Sequence, residues 1–164
     1  MKQAEKIADE GRKSISSFCI EECKSYCCRK GYLVLNKKQV DAVVGEKKEM
    51  YKEQLKPLKN GKTSLFLGKS DKPCPSLRED FKCGIYTNPQ RPKACSDFPL
   101  FFDHTQKLAL FSPRCLAVQQ NKLFPYAKRL QALGYEIAIV NEIVDLVGID
   151  LLDNAIHEKA VEKK

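Results

Sequence analysis

The stretch Cys19-Ile20-Glu21-Glu22-Cys23-Lys24-Ser25-Tyr26-Cys27-Cys28 decides how the rest of the chain is read, because it holds four of the eight cysteines in a protein of 164 residues. The first three follow at i, i+4 and i+8. On a helix this spacing stacks the side chains along one face, a turn apart, where their thiolates can converge on a shared metal centre. Cys28 falls about 100° round the axis at 3.6 residues per turn. It therefore serves another site, or the helix ends there and the vicinal pair splays, an ending that Gly31 favours. Residues 1–30 read as helical, with Ser14 or Ser16 placed to cap the helix that carries Cys19, Cys23 and Cys27.

Whether eight thiols mean disulfides or metal depends on the compartment. The first twenty residues interleave Lys2, Lys6, Arg12 and Lys13 with Glu5, Asp9 and Glu10, with no continuous apolar stretch for a secretory signal. Apolar runs such as Ile137 to Val140 fall far short of the roughly 20 residues of a spanning helix. A cytoplasmic protein without membrane insertion is expected. Thiols there stay reduced, and clustered cysteines serve as metal ligands or catalytic thiols more often than as staples. With 43% hydrophobic and 30% charged residues the chain is neither disordered nor fibrous. It is long enough to form one domain over 1–164 with a core of its own.

The net charge of +8 is uneven, because residues 135–164 hold seven acids against Lys159, Lys163 and Lys164. The basic remainder permits binding to an anionic partner, nucleic acid included. No run of basic residues interleaved with aromatics stands out, however. The lysines from Lys47 to Lys62 alternate with Glu46, Glu49 and Glu53 as a solvated face does.

Outward from the cysteine-rich stretch, Tyr32 to Leu35 has the composition of a short strand, and Asn36 is placed to cap a helix through Val40, Val43 and Val44. Gly45 interrupts that helix, which is expected to resume and run to Lys56, before Pro57. Asn60-Gly61 marks a turn between Leu58 and the run Thr63 to Leu67. From Gly68 to Pro99 prolines are dense and regular structure should be short. Phe98 to Phe102 and Leu108 to Phe111 flank a second hairpin turn with His104 at its tip. Leu123, Phe124, Ala127, Leu130 and Leu133 fit one helix face before Gly134. A further helix is expected through Ile137, Val140, Ile143, Val144 and Val147, with a last acidic stretch carrying Leu151, Leu152 and Ile156.

The remaining cysteines, Cys74, Cys83, Cys95 and Cys115, are dispersed through the proline-rich segment and just beyond it. Such a segment makes sense if metal bonds replace a missing core, since metal-binding free energy becomes folding free energy. Buried free cysteines that merely pack are the alternative. Four in ten residues argue against it. His104 and His157 lie too far apart for a histidine metal site and read as exposed polar residues. Asp80, Asp97 and Asp103 show no pattern of paired acids, and Arg91-Pro92 reads as a turn whose arginine pairs with a carboxylate or sits near thiolate charge.

Taken in order, the run Cys19-x3-Cys23-x3-Cys27-Cys28, then Cys74-Pro75-Ser76-Leu77, Cys83-Gly84-Ile85-Tyr86, Arg91-Pro92-x2-Cys95-x2-Phe98-Pro99 and Cys115, resembles the YkgJ-type cysteine-cluster family, described as a zinc- or iron-chelating domain. The resemblance spans residues 18–115 and implies that Cys19, Cys23, Cys27, Cys28, Cys74, Cys83, Cys95 and Cys115 are all metal ligands. Many members open more tightly, as Cys-x2-Cys-x2-Cys-Cys, where this chain has intervals of three. Thiolate donors point to zinc or an iron-sulfur cluster. Paired zinc knuckles are missing from Cys74 to Cys115, and long irregular spacings favour iron-sulfur over Zn2+.

The expected fold is α+β, with helices and small antiparallel hairpins around a cysteine-ligated metal centre. Region 18–115 is the metal-binding part, and 116–164 forms a helical C-terminal cap. The expected function is metal binding, either as an iron-sulfur protein for electron transfer or redox sensing, or as a zinc module with a basic surface for an anionic partner. No motif announces a catalytic residue.

Overall fold

The computed structural model describes residues 1–68 and 72–139. Helices α1 (Lys2–Ser14) and α2 (Ser16–Glu21) open the chain, followed by a 3-10 turn at Tyr26–Cys28. Strand β1 (Tyr32–Leu35) and helix α3 (Lys37–Val43) come next. Strands β2 (Leu55–Pro57) and β3 (Thr63–Phe66) form the first hairpin. After a long irregular segment come α4 (Lys93–Asp97), then β4 (Leu100–Asp103) and β5 (Leu108–Phe111) as the second hairpin. The described chain closes with α5 (Leu116–Gln119), α6 (Phe124–Ala132) and β6 (Glu136–Ile139). The fold is α+β.

Two three-stranded sheets organise it, one antiparallel in the order β1-β3-β2, the other in the order β4-β5-β6 with β5 and β6 parallel. In β1 the alternation is the one a half-buried strand needs, with Leu33 and Leu35 buried and Tyr32 exposed. The chain then enters α3 through a capping box. The Asn36 side chain accepts from the Gln39 amide at 2.9 Å, and the Gln39 side chain accepts from the Asn36 amide at 2.8 Å.

Each sheet builds its own core. Leu33, Leu35, Val43, Val44, Tyr51, Leu65 and Leu67 pack on the first. On the second, Leu100, Ala109 and Phe111 meet Ala4, Ile7 and Ala8 of α1 and Leu123 and Leu130 from the region of α6. Helix α1 approaches α6 closely at Gly11, where a Cβ would stand 3.2 Å from the Tyr126 ring. Arg12 then clamps α1 to the stretch before β4, donating to the carbonyls of Asp97 at 2.9 Å and Leu100 at 2.6 Å. Phe98 packs against both cores.

Three expectations are corrected. The charged segment after Gly45 does not resume as helix to Lys56. It turns repeatedly so that Tyr51 is buried and donates to the Pro73 carbonyl at 2.7 Å, and Lys56 lies in β2. Phe124 is exposed rather than on the buried face of α6, with the Lys128 ammonium 5.4 Å from its ring centre. Ile137 belongs to β6, not to a helix. The chain turns at Gly134, whose φ of +90° a residue with a Cβ rarely adopts, and Ile137 then pairs with Ala109 on the open edge of β5. Val140, Ile143, Val144, Val147, Leu151, Leu152, Ile156 and His157 lie outside the described residues.

Leu65 is fully buried and central to the first sheet. Leu65→Ala is expected to cost about 2–5 kcal/mol in urea denaturation, against no more than about 0.5 kcal/mol for the exposed Lys59→Ala.

Candidate metal centre

Helix α2 carries Cys19 but stops at Glu21, before Cys23. The Cys23 amide donates to the Phe18 carbonyl at 2.8 Å, a six-to-one bond of the kind that closes helix C-termini, and the Ser25 amide donates to the Cys19 carbonyl at 2.8 Å. Lys24 and Ser25 then take left-handed conformations at φ +55° and +51°. The single helix expected to stack Cys19, Cys23 and Cys27 is therefore not formed, and its cap is Ile15 rather than Ser14 or Ser16. Cys23 sits on the reversal, and Cys27 and Cys28 follow on the 3-10 turn.

The dispersed cysteines reach the same place by other routes. The Cys74 amide donates to the Cys28 carbonyl at 2.7 Å, and Cys83 bridges Leu77. The loop between is moored to the first core by Ser76, which donates to the Val43 carbonyl at 2.6 Å, and by Lys47, which donates to the Pro75 carbonyl at 3.0 Å. Cys95 rides on α4, and Cys115 occupies the N-cap of α5. All eight cysteines line one cavity of about 590 Å³. It lies between the two cores, with Cys19 and Cys115 against the second-sheet core and Cys27, Cys74 and Cys95 against the first.

All eight are free thiols. As the side chains stand, no group of three or more His, Cys, Asp or Glu among the described residues is gathered tightly enough to hold a metal ion. The thiols surround a space rather than a point. The same cavity is lined by Arg12, Lys13, Arg78, Lys82, Arg91 and Arg114 against the single acid Asp9. None of these cations had a local sequence signal except Arg91, since they come from elements far apart in the chain.

Burial governs Cys19, Cys74, Cys95 and Cys115. It pushes Cys19 up to about 12, with neighbouring Cys115, Cys23 and Cys28 adding to the rise. Burial likewise pushes Cys95 up to about 12, against the pull of Arg91, and raises Cys74 further still. Cys115 is raised by burial while the Val118 and Ala117 amides, donating to its sulfur, hold it back. In the vicinal pair the Cys27 thiol donates to Cys28, which raises Cys27 and lowers Cys28, and Arg91 and Arg29 lower Cys28 further. The raised thiols keep their protons until something stronger displaces them.

The other candidates are placed differently. His104 is not an exposed tip residue: it is held between Glu5 Oε1 at 2.9 Å and the Tyr135 hydroxyl at 2.8 Å, and it stacks on Phe102. Asp80 pairs with Arg78 at 3.0 Å, Asp97 with Lys93, and Asp103 accepts from the Gln106 amide at 3.0 Å, so each acid has a local task. His157 is outside the described residues.

The raised thiols fix a sign for the metal-free protein. A thiol titrating near 9.0 in the unfolded chain and at about 12 in the fold, as Cys19 and Cys95 do, contributes stability fully present below pH 9.0. That contribution is lost as pH climbs from 9.0 towards about 12. Urea midpoints of metal-free protein under reductant are expected to fall across this window. The fall should be smaller in Cys19→Ser or Cys95→Ser, which remove the titrating group.

No curated protein and no solved structure gives a significant match to the chain. The family described as CxxCxxCC, "Putative zinc- or iron-chelating domain", matches residues 18–121. The match covers well over half of the chain and runs from just before Cys19 to just past Cys115. The chain belongs to this YkgJ-type, zinc- or iron-chelating family of cysteine-cluster domains.

Proposed function

We propose that Cys19, Cys23, Cys27, Cys28, Cys74, Cys83, Cys95 and Cys115 hold the metal centre, and that the centre is an iron-sulfur cluster serving electron transfer or redox sensing. The observation that carries this reading is the gathering of all eight thiols around one cavity. Soft thiolate donors suit zinc and iron-sulfur chemistry and not the oxygen-seeking metals. A zinc ion needs four donors drawn in to about 2.3 Å. Thiols spread round about 590 Å³ without three of them converging leave interior room that bridging sulfide would occupy. Loading then requires the thiols to give up their protons and turn inward.

When bound, a cluster supplies one-electron exchange at a potential that its surroundings set. The chain offers the usual controls. Two core walls limit water, the Ala117 and Val118 amides donate to the Cys115 sulfur, the Ser76 amide donates to the Cys74 sulfur, and the arginines bring positive charge. Eight unpaired thiols suit a reducing compartment, the cytoplasm. Among the described residues no helix is long and apolar enough to cross a membrane. On this reading the chain is a single domain whose metal-binding part is 18–115. A zinc-stabilised module is the second reading, favoured by the nearby pair Cys19 and Cys23, with the basic surface meeting an anionic partner, a protein or a nucleic acid.

Protein purified without oxygen is expected to carry iron and sulfide in near-equal amounts with broad visible absorbance. Stoichiometric zinc without colour would move the assignment to the second reading, and the absence of both metals would sink the two together.

Chelation under reductant is expected to lower hydrogen-exchange protection in residues 72–99 while β4 and β5 stay protected. Those strands rest on the second-sheet core, whereas the loop rests on a handful of side-chain moorings and on the centre. Unchanged protection in the loop would show that the metal does not organise it.

A further inference from the structure

Arg91 is held on three sides. Its Nη2 donates to the Cys95 carbonyl at 3.3 Å, its Nη1 reaches the Ser96 hydroxyl at 3.5 Å, and its guanidinium lies 4.6 Å from the centre of the Tyr86 ring. These contacts fix the plane of the fork beside the cysteine cavity, which Arg91 lines. The remaining nitrogen of the guanidinium, Nε, is buried and has no hydrogen-bond partner among the described residues. A buried donor on a charged group is costly to leave unpaired and calls for an acceptor. Of the other arginines lining the cavity, Arg12 is spent on the Asp97 and Leu100 carbonyls and Arg78 on Asp80.

The acceptors this cavity has in number are sulfurs. A protonated thiol accepts weakly, and metal loading removes the proton and leaves a charged thiolate. The acceptor that Nε lacks therefore appears when the centre is filled. We infer that Arg91 is a positioning residue for the metal centre, its Nε donating a hydrogen bond to the thiolate of Cys28 or Cys95 in the loaded protein, an inference that rests on the metal-binding reading above. The charge of Arg91 already bears on these two sulfurs, pulling both down against their burial. A hydrogen bond of this kind stabilises the thiolate, fixes its orientation and draws electron density from the metal-sulfur bond.

The test is anaerobic titration of the full chain with Co2+ under reductant, against a competing chelator, in wild type, Arg91→Gln and Arg91→Lys. Arg91→Gln is expected to bind cobalt about 10- to 100-fold more weakly, the usual loss when an outer partner of a ligand is removed. Its sulfur-to-cobalt charge-transfer band should move to lower energy, because a hydrogen bond lowers the sulfur lone pair. Arg91→Lys keeps the charge as a point at the end of a flexible stem and removes Nε. It should recover part of the affinity while its band stays displaced, and it decides the matter if Arg91→Gln does not fold. An unmoved band in a variant with native circular dichroism overturns the inference, whether affinity is kept or lost, since lost affinity alone would mark Arg91 as support for α4. Wild-type protein that takes up no cobalt overturns the metal reading, and this inference with it.

Discussion

Two small hydrophobic cores meet across a space that neither of them fills. Each core is built on a three-stranded sheet, and among the described residues Phe98 packs against both. The remaining space is lined by all eight thiols, six cations and one acid among apolar side chains such as Leu33, Leu67 and Phe98. Packing alone favours closing such a space, because wall atoms without neighbours forfeit their dispersion contacts. Arginine charge resists that closure, and the thiols supply donors that a soft metal can tie together. The relation between the two halves of the fold therefore runs through the chemistry of that cavity.

Burial and positive charge act on the thiols in opposite directions, and the balance differs from one cysteine to the next. Cys19, Cys74 and Cys95 are pushed strongly upward by burial, whereas Cys28 is drawn down by the Cys27 thiol and by Arg91 and Arg29. Cys115 lies between, buried but receiving two amides of its own helix. A metal entering this cavity meets donors that release their protons unequally. Cys28 is drawn below the ordinary thiol range, and the vicinal partner that lowers it holds its own proton more firmly as a result.

Local pattern read well wherever the sequence carries a short-range period or a cap. Tyr32 to Leu35 alternates as a strand does and is one, Asn36 caps the next helix, and Asn60-Gly61 and the tract 103–107 turn the two hairpins. The pattern misled where tertiary contacts decide. The i, i+4, i+8 spacing of Cys19, Cys23 and Cys27 is a helical period, yet the backbone bond from Cys23 to Phe18 ends the helix first. Ile137 fits a helical stripe, yet the open edge of β5 takes it as a strand. His104 looked like a loop-tip residue because its partners, Glu5 and Tyr135, are 99 and 31 residues away.

The number of thiols, their clustering, the proline-rich segment that needs external mooring and membership of a zinc- or iron-chelating family are all legible in the order of residues alone. Residue type and local spacing carry that information, because turns, caps and strand alternation depend on neighbours a few positions away. The folded chain adds that all eight cysteines line one cavity, that Arg12, Arg78, Arg91 and Arg114 share it, and that Arg91 keeps a buried donor in hand. Those facts come from two cores docking at a particular separation. Phe98 packs against both cores, and the second core is itself fixed by contacts such as Gly11 against Tyr126 and Arg12 against Asp97 and Leu100, whose partners lie about a hundred residues apart and leave no period to read.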